Sequence, residues 1–203
     1  DSTSGTILGH TASLGCCGLA DVGATVLMAP TNTNKSKNIN KPKNKEKLCC
    51  EYRVYLSVLL DRGKEIVIGI HPKLAEDLTE AALTNNMLSR LQNIKQYKRE
   101  MKMYVEGKVD SRFDFAGIDC NNIPFIMEVK NVPLADYEDI SAKDKKAKCC
   151  DYNDRSIDSK VAYFPDGYRK KSADPVSPRA LKHIRELTLI KRESKTRCIM
   201  CYV

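Results

Sequence analysis

Phe125-Ile126-Met127-Glu128-Val129-Lys130 is the stretch on which the fold of this chain turns. Three uninterrupted apolar residues open it, as in a strand buried on both faces of a sheet. Side chains alternate along a strand, so Glu128 and Lys130 share one face while Met127 and Val129 share the other. Placing two ionised groups at the end of a core strand is costly unless they are paired or hold a metal. The segment Ser111-Arg112-Phe113-Asp114-Phe115 repeats the arrangement, with Asp114 between two aromatic residues expected to face the core. If the two strands are neighbours, Asp114 and Glu128 meet and Lys130 lies one pleat away. Two close carboxylates repel each other, which makes a divalent cation their natural partner. Hard oxygen ligands with open water positions favour Mg2+ or Mn2+. A metal there activates water, orients a phosphodiester and stabilises the charge of a leaving oxygen, while Lys130 positions the attacking water or stabilises the pentacovalent phosphate. The plainer alternative is an Asp–Lys–Glu structural network, because a bare E-x-K occurs in many surface strands.

Around this stretch the pattern is helix, three strands, helix, strand. Leu74, Leu78, Ala81 and Ala82 recur at helical spacing behind Pro72, which predicts a helix from Pro72 to about Leu91. Strands are expected at Tyr97 to Val105, Arg112 to Gly117 and Phe125 to Val132. The polar run from Asp136 to Lys160 is too charged to be core and reads as a surface insertion. Ser177 can cap a helix from Pro178 to about Lys191, with Leu181, Ile184, Leu187 and Ile190 as its apolar stripe. Arg197 to Val203 closes the chain as a strand. That order fits an α/β sandwich-like domain. Upstream, Thr25 to Met28, Tyr52 to Leu60 and Ile66 to Ile70 read as strands of a small β-rich unit, with Asp61-Arg62-Gly63-Lys64 as a hairpin loop. Thr31 to Lys47 is rich in Asn and Lys. It is either a solvated loop or a basic arm that touches phosphates through Lys35, Lys37, Lys41 and Lys43.

Charge points the same way. The 203 residues carry a formal net charge of +8 with 30% charged residues, and a basic surplus favours polyanions, because Lys and Arg release counterions from phosphates. The 42% hydrophobic content suffices for one medium domain or two small ones. No run is apolar and long enough to span a bilayer, and no charged-then-apolar leader opens the chain. The start at Asp1, without Met, reads as processed or trimmed. Nine cysteines, an odd number, argue against a complete disulfide framework and for buried thiols in an intracellular, reducing compartment. Cys16-Cys17, Cys49-Cys50 and Cys149-Cys150 are vicinal pairs. Cys198-x-x-Cys201 has zinc-like spacing, but on a strand residues three apart face opposite ways, and no second such pair is present.

Ser111 to Phe115, Glu128-Val129-Lys130-Asn131-Val132-Pro133-Leu134, Phe164-Pro165-Asp166 and Lys182-His183-Ile184-Arg185-Glu186-Leu187 resemble, in order, the successive motifs of the sugar fermentation stimulation protein family. His10 to Gly15, with Gly18-Leu19 and Gly23-Ala24, is similar to the family's N-terminal signature, and Ala75 to Leu83 to its first helix. The resemblance implies a mixed α/β chain in two parts. An OB-like β-barrel would occupy residues 1–70, its first strand incomplete at Asp1. A restriction-endonuclease-like PD-(D/E)XK domain would occupy 71–203, with the insertion at 136–160. The family is described as DNA-binding, with a nuclease core and a historical link to the regulation of sugar-utilisation genes. By position, Asp114 and Glu128 would be the metal ligands and Lys130 the catalytic lysine. Asp166, Arg179, Lys182, His183 and Glu186 would line the same cleft, and Arg112 would contact nucleic acid. Glu80 and Glu100 are weaker candidates for a further acidic ligand. Ala180 stands where the family has Gly, and the links around Asp166 and over 136–160 are longer than its pattern.

Three functional classes follow. One is a Mg2+- or Mn2+-dependent nuclease acting on DNA before RNA. Another is a nucleic-acid-binding protein in which barrel and basic loops bind phosphates without cleavage. The last is a structural component of a larger nucleoprotein assembly. A homodimer is compatible with all three.

Overall fold

The computed structural model of the chain describes residues 7–12, 19–31, 50–133, 135–138, 142–149, 151–162 and 178–203. The readings placed on Lys35, Lys37, Lys41, Lys43, Asp166, Ser177, Cys16, Cys17, Cys49 and Cys150 lie outside the described residues. The chain divides into two compact units, Asp1–Pro72 and Lys73–Val203. Among the described residues, no helix is long and apolar enough to cross a membrane.

The first unit is a sheet organised on one long strand. Strand β3 (Tyr52–Asp61) pairs parallel with β1 (Gly9–His10) and antiparallel with β2 (Thr25–Pro30) and β4 (Lys64–Gly69). Arg62 and Gly63 turn the β3–β4 hairpin with φ of 50° and 77°, the left-handed pair that matches a two-residue hairpin to strand twist. The register of β2 slips between Leu27 and Met28, and such an irregularity bends a strand. Leu19, Val54, Ser57 and Ile70 are buried, and the Ser57 hydroxyl donates to the Leu19 carbonyl at 2.6 Å. Among the described residues the sheet does not close into a barrel.

The second unit is a helix–sheet–helix sandwich. Its sheet runs β10 (Arg197–Tyr202), β7 (Pro124–Lys130), β6 (Val109–Ile118), β5 (Gln96–Val105). β10 lies parallel to β7, and the other neighbours are antiparallel. Val203 extends the β10–β7 ladder, donating to the Lys130 carbonyl and accepting from Val132 N–H. Helix α1 (Pro72–Thr84) covers one face, where Ala75, Leu83, Leu91, Phe115, Phe125, Met127 and Val129 form a cluster. Helix α3 (Pro178–Glu193) covers the other, with Val109, Phe113, Ala116, Ile126, Leu187 and Ile190. β7 is therefore buried from both sides, as its apolar run predicts. Each fully buried Phe contributes about 2–3 kcal/mol of transfer free energy. At Gly117 an added Cβ would meet the Gln96 carbonyl at 2.2 Å and the Phe125 ring at 2.7 Å, so this glycine lets strand and ring approach.

Three expectations need correction. α1 ends at Thr84, not near Leu91. Asn86 takes a left-handed φ of 56°, Asn85 Nδ2 donates back to the Ala81 carbonyl, and Leu91 then reaches the core from a loop. Second, Phe113 and Phe115 both face the core as expected, but not from the one face that strand alternation implies: Phe113 packs edge-on to His183 of α3, and Phe115 packs with Tyr97 and under Arg99 on the α1 side. The alternation flips at Asp114, opposite Glu100, whose φ is 53°. Third, α3 is rotated relative to the expected stripe. It buries Ala180, His183, Glu186, Leu187 and Ile190, and leaves Ile184 exposed.

The polar excursion is closed at its base by antiparallel pairing of β8 (Ala135–Asp136) with β9 (Val161–Ala162). Inside it lie α2 (Ala142–Lys148), a Tyr137–Tyr152 stack at 5.0 Å and Arg155 over the Tyr152 ring. Glu138 pairs with Lys148 and Arg155, so rings and ion pairs replace a core there.

Candidate functional site

The β6–β7 ladder runs from Ile118↔Pro124 to Phe115↔Met127 and stops. One residue further, the Asp114 side chain takes over from the backbone: its Oδ2 accepts the Val129 N–H at 2.7 Å. The strands part where the alternation of β6 flips, and a left-handed non-glycine residue in the partner strand marks the strain of that kink. Asp114 and Glu128 are thereby held at the opening, with Lys130 beyond them.

Glu128 is 2% exposed. Its Oε1 receives Lys130 Nζ and contacts His183 Nδ1, which α3 supplies from the opposite layer. Its Oε2 is buried and, among the described residues, has no hydrogen-bond partner. The two carboxylates are driven apart electrostatically. Burial pushes the Asp114 carboxyl up, and the neighbouring Glu128 charge adds to this against the pull of Val129 N–H and Lys130. Burial also opposes ionisation of Glu128, but His183 and Lys130 outweigh it and hold its carboxyl below the usual range. A charge on Glu76 of α1 also raises Asp114. The donors are all hard carboxylate oxygens. Among the described residues no group of three or more His, Cys, Asp and Glu gathers as a metal cluster, and the carboxylates at the opening are those of Asp114 and Glu128.

The remaining residues expected in this cleft separate into different places. His183 joins Glu128. Glu186, one turn on, instead accepts from Asp110 N–H at 3.0 Å and from the Ser111 hydroxyl. Lys182 reaches the Asp110 carbonyl and pairs with Glu186 at 3.5 Å. Against the cost of burial, the Ser111 and Asp110 donors keep the Glu186 carboxyl below its ordinary range. Arg179 is exposed in the first turn of α3. Arg112 is exposed and pairs with Glu100 at 3.4 Å. Glu80 is committed to Tyr97 and to Arg99, which also binds Glu76 and Asp77. Ser111 and Glu76 were not singled out by sequence reasoning. Ser111 lies inside a quoted motif, whereas nothing local marks Glu76. Cys198 and Cys201 pack into opposite clusters, so they do not share a metal.

A family model described as the sugar fermentation stimulation protein RE domain (SfsA) matches residues 73–142, a span that includes Asp114, Glu128 and Lys130 and ends before α3. The structure of Pyrococcus furiosus SfsA in complex with Ca2+ is similar, with a TM-score of 0.50 and 21% identity over 80% of this chain and 52% of that one. The chain thus spans about half the length of that structure. Comparison with curated proteins finds no match. Residues 73–142 thus resemble the SfsA RE domain, and the likeness to the Pyrococcus furiosus structure is one of fold.

Proposed function

We propose that the chain is a metal-dependent nuclease of the PD-(D/E)XK type, hydrolysing phosphodiester bonds in DNA before RNA, with Mg2+ or Mn2+ held by Asp114 and Glu128. One observation carries the reading: among the described residues, Glu128 has a buried oxygen without a hydrogen-bond partner, at a strand opening shared with a second carboxylate. Buried acceptors are almost always satisfied, and one left over at a charge cluster is the mark of a missing cation or water. Mg2+ is commonly bound through one or two carboxylates and completes its shell with water and substrate phosphate, whereas Zn2+ asks for Cys and His and Ca2+ for about six to eight oxygens. That the Pyrococcus furiosus SfsA structure is a Ca2+ complex supports a hard cation here. When bound, such an ion supplies positive charge to the scissile phosphate and lowers the pKa of water. Lys130 holds a second positive charge at the opening for the phosphate oxygens, and His183 fixes Glu128 from behind.

The N-terminal sheet is read as part of an OB-like barrel that binds nucleic acid through the Lys35 to Lys43 segment, and Arg112 of the second unit as a separate nucleic-acid contact. Its support is a central strand with three partners and a bend-inducing irregularity in β2. The competing reading is binding without cleavage; it draws on Lys130 and His183 already meeting Glu128 Oε1. One assay separates them. Labelled single- and double-stranded DNA and RNA are incubated with Mg2+, Mn2+ or EDTA, using wild type, Asp114→Ala and Lys130→Ala. Cleavage that needs metal and is lost in both variants is the expected result. Cleavage that ignores metal or both variants removes the proposed site, and binding without cleavage selects the competing reading.

A further inference from the structure

We infer that the outer face of α3 and the β5–β6 turn form a track for a nucleic-acid phosphate backbone, distinct from the carboxylate opening. A groove of about 450 Å³ lies between them, lined by Lys108, Ile184, Arg185, Thr188, Leu189 and Arg192, with Glu186 at its inner margin. The nearby carboxylates are already committed. Glu186 serves Asp110 and Ser111, and Glu193 pairs with Lys108 at 2.7 Å. No ion pair among the described residues takes up Arg185 or Arg192, so the groove presents two guanidinium forks, the group best matched to phosphate oxygens. They are seven residues apart, two helical turns, and so project on one side about 10 Å apart along the axis. That separation matches about three steps of a nucleic-acid strand at ~3.4 Å per step.

The groove is not uniformly polar, and this favours a nucleic acid over a free anion. Ile184 is 36% exposed and lines the groove together with Leu189. The rotation of α3 that buries His183 and Glu186 is what turns Ile184 outward, giving sugars and bases an apolar surface between the cations. The helix also supplies direction. It runs from His183, in contact with Glu128, to Arg192, about 13 Å further along. A strand on the track is led away from the carboxylate opening by roughly four steps. The partner's identity rests on the nuclease reading, but affinity in the absence of metal reports on the track alone.

The test measures binding of short labelled single- and double-stranded DNA to the full chain by fluorescence anisotropy, in EDTA, over a range of salt concentrations. Arg185→Gln with Arg192→Gln is compared with Lys191→Gln, an exposed lysine of the same helix that does not line the groove. The double variant should bind roughly tenfold more weakly at 0.1 M salt, with a salt slope shallower by about 1.4 to 1.8. Lys191→Gln should stay within about twofold of wild type. Equal affinity and slope in wild type and double variant, or an equal loss in Lys191→Gln, would overturn the track, as would no DNA binding by wild type. Loss of binding to phosphatidylserine vesicles with DNA binding unchanged would also overturn it, assigning the face to a membrane. If wild type fails to cleave in Mg2+ while the double variant still loses affinity, the nuclease reading fails and the track stands.

Discussion

Glu186 of α3 and Glu128 of β7, the latter met by His183 one turn before Glu186, are both buried carboxylates, and they are finished differently. Glu186 has both oxygens occupied, by Asp110 N–H and the Ser111 hydroxyl, with Lys182 alongside. Among the described residues, Glu128 has two partners on one oxygen and none on the other. Both carboxyls are held below the ordinary range despite burial, so the depression itself does not separate a structural acid from a reactive one. Completeness does. A closed network ties α3 to β6, whereas the one at the strand fork leaves an acceptor that no described residue fills.

The largest expected effect sets the two acids against each other in cleavage. Glu128→Ala or Asp114→Ala should lower the rate by about 10³-fold, from loss of metal charge at the phosphate, while Glu186→Ala stays within about tenfold per folded molecule. Equal losses would erase the distinction. Stability should show the reverse. Glu186→Ala leaves the Asp110 N–H and Ser111 hydroxyl without their acceptor and should cost about 2–3 kcal/mol in urea denaturation. Because the folded carboxyl lies below its unfolded value, its stabilisation is present above about pH 4.3 and is lost as pH falls through the folded value. The acid slope of wild-type stability should therefore be steeper than that of Glu186→Ala. Mg2+ at ten times its dissociation constant should raise stability by about 1.4 kcal/mol in wild type and Glu186→Ala, and not in Glu128→Ala. The smallest effect concerns the kink. Glu100→Gly should gain roughly 0.5–1 kcal/mol by relieving the left-handed backbone. The same change should slow cleavage, because the fork at Asp114 loses its rigid partner.

What the residues announced in advance was mostly β7. An apolar run closed by Glu128 and Lys130 can be read as a buried strand because alternation is local. The turn at Arg62-Gly63 was legible for the same reason. The rotation of α3 was not. Hydropathy ranks Leu181 and Ile184 above His183 and Glu186, yet the sheet beneath presents Glu128 and Ser111, and polar partners there outweigh an apolar match. The opposite orientations of Phe113 and Phe115 were equally hidden, because the flip coincides with a backbone angle at Glu100 in another strand. Asp114 and Glu128 could thus be named, but the open oxygen, the contacts of His183 and the charge of Glu76 are products of packing between layers.

The pairing of β10 with β7 carries a kinetic consequence. Arg197 stands opposite Phe125, about seventy residues away in the chain, and β7 is an interior strand only once that distance is closed. Contacts of such range form late. Until then Phe125 to Val129 is a bare edge rich in strand-forming residues, the kind that pairs with other molecules during refolding. Glu128 and Lys130 sit at the end of that run. The charges that end the native strand serve, while it is still uncovered, as gatekeepers against aggregation.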